Sequence, residues 1–382
     1  MDKWALLTST DESREKIWRK NRSFAGDVLF RLSRKPTAIA GFLIVILLIL
    51  FAFVGPLFTS YNYATQNLDV VNIPPSLPVF HSPDDEAYIY VTQNLKLLRV
   101  QHDGTLGRQL TRIRDDDSRY MTIFDYDGKE VALYYGEKPY KVIDPETLRI
   151  YPQSHVRNRS YVFGTDALGR DILTRLMYGS QVSLIVAFVA AAVNMLIGII
   201  YGSISGYIGG RTDLIMMRIV DVISTIPLTL YVILIMVIMG SGLQSIIIAL
   251  GSVYWVDMAR VVRGQVLSLK QQEFVLAAKT IGSSTKTILF RHLIPNSMGS
   301  ILVTVTMLIP SAIFMEAFLG FLGIGLRPPL ASLGTMCNDA TENLRSCPYQ
   351  MFIPALVIVL IMFAFNFVGD GLRDALDPKL KK

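Results

Sequence analysis

The stretch EFVLAAKTIGSSTKTILFRHLIPN, residues 273–296, decides how this 382-residue chain is read. It is polar and rich in helix formers. It nevertheless lies between two charge-free runs, 222–256 and 293–315, of the length that a lipid bilayer demands. Lys270 and Glu273 flank its start. Ala277 and Ala278 have minimal side chains that let another surface approach closely. Gly282 interrupts the helix, so an elbow is expected there. Pro295 opens the next apolar run near its first helical turn, where a missing N–H costs little. A short helix held by two membrane spans moves with them as a unit, as a coupling element pressing on a separate motor must. An ordinary amphipathic connector fits the same pattern.

Working outward, charged residues make up 18% of the chain, where a soluble globular domain carries about 25%. Mean hydropathy is +0.40. Further charge-free windows occupy 36–67, 181–210 and 346–369, and Gly240-Ser241-Gly242 splits the run 222–256. A spanning helix needs about 20 apolar residues. Six spans are therefore expected, near 38–58, 181–203, 222–240, 243–259, 298–322 and 350–369. The first is too long and too far from the start for a cleaved signal. Nine Lys and Arg residues precede it, six lie in 260–291 and four follow the last span. Six spans put all three groups on one side, so the positive-inside rule makes both termini and the loop 260–296 cytoplasmic. The net charge of +6 reads as this bias and not as nucleic-acid binding.

Residues 1–36 interleave Trp4, Leu7, Trp18, Phe24 and Leu29 with charges and are expected to form an amphipathic cytoplasmic segment at the lipid interface. Residues 37–58 hold the first span. Residues 59–160 differ in composition and read as an extracellular β-rich insertion of about six short strands. Asp103-Gly104 and Asp127-Gly128 lie between alternating segments, a strong hairpin signal, and Asp144-Pro145 marks a third turn. Residues 161–382 carry the other five spans. Cys337 and Cys347 lie in the last outer loop. If the residues between them are helical, their Cα atoms stand about 15 Å apart, too far for a disulfide.

No G-x-x-x-x-G-K-[ST] phosphate loop occurs, so the chain is not expected to bind ATP itself. The four histidines show no metal spacing, and no nucleophile has a paired base. No catalytic residue, cofactor or metal is expected. Glu316 lies inside the fifth span near its outer end, either as a polar group at the mouth of a path or as a hydrogen-bonded acid at a helix contact. Asp221 and Asp257, near the cytoplasmic ends of spans three and four, are expected either at the membrane interface or paired with Arg218 and Arg260. Pro227 and Pro310 would bend spans three and five, and bends suit a gate.

The loop 273–296 resembles the EAA loop of binding-protein-dependent ABC importer permeases: Ala277, Ala278, Gly282 and Pro295 match at the right spacing. Leu276, His292 and Ile294 depart from it, where the motif has Glu, Ile and Leu. GTDALGRD (164–171), DVISTIPLTL (221–230), MEAFLGFLGIG (315–325) and GDGLRDALDP (369–378) resemble segments of the dipeptide/oligopeptide/nickel permeases, the last typical of their C-type subunit. The likeness covers about 30–75 and 160–380. It implies an all-α polytopic protein of six transmembrane helices with the type I ABC importer permease fold, in a bacterial inner membrane. It implies import of oligopeptides or dipeptides, with nickel or another small solute as the alternative within the family. Implied partners are a homologous B-type permease, two ABC ATPases that bind ATP and magnesium, an external solute-binding protein, and membrane lipid. Implied ATPase-coupling residues are Glu273, Ala277, Ala278, Lys279, Gly282 and Pro295. From a different class, an ion-gradient secondary transporter would show inverted repeats, and none is visible.

Overall fold

The computed structural model describes residues 24–84 and 86–376. Of the segment 1–36, only its last part is therefore visible: α1 (Phe24–Leu32) leads into α2 (Pro36–Phe53). Pro36 starts α2, where its fixed φ suits a first turn. Gly55-Pro56 ends the span as a 3₁₀ turn, so the helix is shorter than the expected 38–58.

Among the described residues nine strands, not about six, follow in two antiparallel sheets: β1 (Ser76–His81), β2 (Tyr88–Val91), β3 (Leu97–Val100), β4 (Leu106–Gln109), β5 (Thr111–Asp116), β6 (Met121–Tyr126), β7 (Lys129–Tyr134), β8 (Lys141–Ile143) and β9 (Gln153–Arg157). The first sheet has the order β4-β3-β2-β1-β9 and the second β5-β6-β7-β8. Asp127 and Gly128, at φ 51° and 87°, make the tight hairpin that pairs Tyr126 with Lys129. Phe80, Ile89 and Leu97 of the first sheet share a core with Phe124, Tyr126, Val131 and Leu133 of the second. The opposite face of the first sheet buries Leu77, Val79 and Leu98 against Val70, Ile73 and Tyr161 of the flanking chain. Because β1 pairs with β9, from Ser76↔Arg157 onward, the insertion leaves and rejoins the helical core at one place.

The helical core is built from α3 (Ile172–Ile208), α4 (Gly210–Thr225), α5 (Leu228–Met239), α6 (Leu243–Gly251), α7 (Trp255–Leu269), α8 (Glu273–Thr280), α9 (Thr285–Thr287), α10 (Ile294–Phe321), α11 (Leu333–Asp339) and α12 (Tyr349–Leu376). Among the described residues, five segments are long and apolar enough to cross a membrane, and six if the bent pair α4–α5 counts as one. That pair departs from expectation: span three is no straight helix over 222–240 but two helices meeting at 83°. Pro227 causes the break, because the residue before a proline is driven out of the helical region; Ile226 sits at ψ 125°.

Two close seams hold the core. On α3, Gly198, Gly202 and Gly206 recur every four residues and face α7, where a Cβ on Gly202 would come within 2.9 Å of Val262 Cβ. Such small-residue rows let helix backbones approach in lipid. At the other seam, Gly334 of α11 lies against Ala317 of α10, where an added Cβ would meet the Ala317 Cα at 2.6 Å.

Candidate functional site

The loop 270–296 folds as its residues demand. α8 begins with Glu273 in its first turn, favourable at the positive end of a helix dipole. It stops in a Schellman motif: Gly282 N–H donates to the Lys279 carbonyl and Ser283 N–H to the Ala278 carbonyl, each at 3.0 Å. Gly282 sits at φ +80°, the left-handed conformation that glycine alone adopts freely, and a Cβ there would meet nothing within 4 Å. The glycine thus serves backbone geometry and not packing. Ser284 accepts from Thr287 N–H and starts the next helix. A π-helical turn, Ile288–Leu293, precedes α10. Pro295, in the first turn of α10, would otherwise press its ring on the Arg291 carbonyl four residues back, and the wider turn relieves that clash.

α8 has two faces. Val275 and Ala278, three residues apart, are buried with Met258, Val262 and Val266 of α7 and with Ile288, Leu293 and Ile301 at the base of α10. Glu273 and Ala277 are exposed, as are Phe274, Leu276 and, at 81% of its surface, Ile281. The two alanines therefore part company: Ala277 faces outward, whereas Ala278 seats the helix on its own chain. Lys279 is exposed but leans toward α3, its ammonium 5.5 Å from the ring centroid of Tyr207. The Phe274 ring lies 6.5 Å from that of His292, one of the positions that depart from the EAA pattern.

The other singled-out residues lie elsewhere. Pro227 forms the break between α4 and α5. Pro310 is buried inside α10, which runs through it uninterrupted. Glu316 is fully buried, and Ser183 Oγ of α3 donates to its Oε2 at 2.6 Å. It lies at the contact of α3 and α10, one residue from the tight Ala317–Gly334 approach. Asp221 and Asp257 both reach Arg260, at 3.3 and 3.6 Å. Cys337 and Cys347 are free and buried. Among the described residues no cluster of three or more His, Cys, Asp or Glu could hold a metal ion.

One constellation was not singled out from the sequence. In GTDALGRD, Asp166 accepts from Arg170 Nε at 2.6 Å and from Arg175 Nη1 at 2.5 Å. The same two arginines reach Asp339 of α11 at 3.1 and 3.0 Å. The four-membered cluster balances two charges of each sign in a nearly closed site, as burial requires. It ties the start of α3 to α11. Beside it, Gln350 at the start of α12 donates to Asn72 Oδ1 and to the Thr165 carbonyl, and Asn72 donates to Gln93 of the insertion at 2.8 Å. The β insertion is thus bolted to the core rather than tethered. Arg175 is the readable signal for this cluster, an arginine at the rim of an apolar run.

The described residues thus form a polytopic helical chain that exposes one short helix between two apolar segments. Comparison with known proteins gives the family. Residues 198–382 match the binding-protein-dependent transport system inner membrane component, and residues 23–75 match the N-terminal TM domain of oligopeptide transport permease C. The chain is 40% identical over 368 residues to the oligopeptide transport system permease protein OppC of Bacillus subtilis, covering 96% of this chain and 94% of that one. It is 53% identical over 221 residues to the dipeptide transport system permease protein DppC of the same organism, covering 58% and 69%. The chain belongs to this family of binding-protein-dependent permeases, in its oligopeptide and dipeptide C-type branch. The strands over 76–157 lie outside both matched regions.

Proposed function

We propose that this protein is one of two non-identical membrane subunits of an ATP-driven importer for oligopeptides or dipeptides. The observation that carries the reading is α8, a helix stopped on both sides, seated by Val275 and Ala278, and presenting an exposed apolar face. Phe274, Leu276, Ala277 and Ile281, with Glu273 at the rim, form the surface offered to an ABC ATPase. Ala278, Lys279, Gly282 and Pro295 shape and seat that surface instead of touching the partner. Both termini and α8 face the cytoplasm, following the placement of Lys and Arg. ATP binding closes a pair of partner ATPases and displaces α8. The spans of this chain and a homologous B-type permease then switch access, and energy enters only as the differential affinity of ATP for the two states. ATP and magnesium belong to the ATPases, and this chain does no chemistry. The type I importer fold, a solute-binding protein at the outer face and lipid around the spans complete the assembly. The names of the relatives favour peptides over nickel.

We assign the β insertion to the outer side, where its attachment beside α11 and α12 suits contact with the solute-binding protein or cover of the outer mouth. Excising 77–156 joins two residues that already pair, Ser76 and Arg157. Uptake should fall while the membrane complex still assembles, and normal uptake by that variant would sink the assignment. For the main reading, tagged protein purified from its own membranes should bring down two ATPases and a second permease in fixed ratio. Recovery of the chain alone, active in transport, would leave the secondary-transporter reading standing.

A further inference from the structure

We infer that Tyr207, in the last turn of α3, is the positioning residue by which α8 grips the long helix α3; the inference rests on α8 being the coupling element. Two buried side chains, Val275 and Ala278, are a small seat for a helix that must drive its neighbours. The added hold is the Tyr207 ring. Lys279 of α8 and Lys270, just beyond α7, each place an ammonium 5.5 Å from its centroid, within cation–π range. Lys270 also donates to the Tyr207 backbone carbonyl, a bond that any side chain at 207 would keep. The half-buried ring packs on the same cluster that receives Val275 and Ala278. Three elements therefore converge on one aromatic side chain.

What lies at the far end of α3 gives the contact its consequence. α3 runs unbroken for 37 residues, about 55 Å, with no proline; of its four glycines, Gly198, Gly202 and Gly206 are braced by α7 and Gly179 by the start of α11. Its first turns hold Arg175, which pairs with Asp339 of α11 and with Asp166 on the approach from the β insertion, while Asp171 caps the helix by accepting from Thr174 N–H. A displacement taken up at Tyr207 is carried as rigid-body motion to the opposite face. Loosening the grip should weaken coupling without unfolding the helix.

The test uses the complete transporter, with its ATPases and solute-binding protein, in proteoliposomes, reading peptide taken up per ATP hydrolysed. Tyr207→Leu keeps apolar bulk and removes the ring face, and Lys279→Met removes an exposed charge that the fold does not need. Each should lower the ratio by about two- to five-fold, the range an exposed cation–π contact supports. Tyr207→Phe should restore the wild-type ratio, and the double variant should match Tyr207→Leu alone. A wild-type ratio in both Leu and Met variants, or a Phe variant as impaired as Leu, overturns the inference. Ala277→Trp, on the outward face of α8, separates the levels. If it uncouples while the Tyr207 and Lys279 variants do not, only this inference fails. If it leaves ATPase binding and the ratio untouched, the coupling reading itself fails.

Discussion

Replacing Gly202 by valine tests the seam on which the helical core depends. A Cβ at Gly202 would sit 2.9 Å from Val262 Cβ and 3.0 Å from the Arg263 nitrogen, with the Ala259 carbonyl oxygen closer still. Two of these neighbours are backbone atoms and cannot rotate away. Ordinary contact begins near 3.4 Å, so α3 and α7 must part by roughly half to one ångström, loosening Gly198 and Gly206 as well. Overpacking of this kind costs about 1–3 kcal/mol, and two extra methyl groups against backbone put valine near the upper end. On the soluble-protein scale, about 2.5 kcal/mol corresponds to a fall in Tm of roughly 5–10 °C. The natural control is Gly264 on α7, where a Cβ meets nothing within 4 Å. Gly264→Ala should be neutral or raise stability by up to about 1 kcal/mol, because alanine is the better helix former. Thermal unfolding of the purified protein in detergent reads both. Equal melting of Gly202→Val and wild type would refute the close-seam argument.

Other outcomes follow from the same geometry. Arg175→Met should destabilise by about 3–5 kcal/mol, since it strips a buried cation from Asp166 and Asp339, whereas Asp339→Asn should cost less because that carboxylate is 41% exposed; detergent melting curves should rank the two in that order. Gly282→Ala should cost about 1 kcal/mol from its positive φ alone, and Gly282→Asn less, seen as faster proteolysis of the loop 281–285 with the spans intact. Burial pushes the Cys337 thiol up to about 11, so its reactive thiolate is scarce at pH 8 and grows only as pH approaches that value. An impermeant maleimide at pH 8 should therefore leave Cys337 unmodified in folded protein and label it after denaturation, with no mass change on prior reduction.

Much of this architecture is legible in the sequence where its cause is local. Apolar windows locate the spans, Asp127-Gly128 marks its hairpin, and Gly282 marks the end of α8. What escapes is set by distant partners. The second span starts nine residues before the expected 181, taking in Arg175, whose charge is neutralised by Asp166 and Asp339, residues no window can pair with it. α4 looks too charged for a membrane helix, yet its Asp213 is held by Arg263 of α7 at 2.5 Å. β1 pairs on one side with its neighbour β2 but on the other with β9 across the whole insertion, Val79 opposite Ser154, a pairing no hairpin signal marks. Ala277 and Ala278 look alike in sequence. Only the phase of the helix, with Val275 and Ala278 on one side, separates the seat from the presented face.

A chain proposed to form half of a peptide path, driven through α8 by an ATPase, must move peptide at the expense of ATP. The most direct measurement is uptake of a labelled oligopeptide by proteoliposomes carrying the purified complex, with ATP inside the compartment that α8 faces and with ionophores collapsing every ion gradient. Uptake should require ATP and the solute-binding protein, survive the ionophores, and be lost in Ala277→Trp. Uptake that proceeds without ATP and stops when the gradients collapse would contradict it.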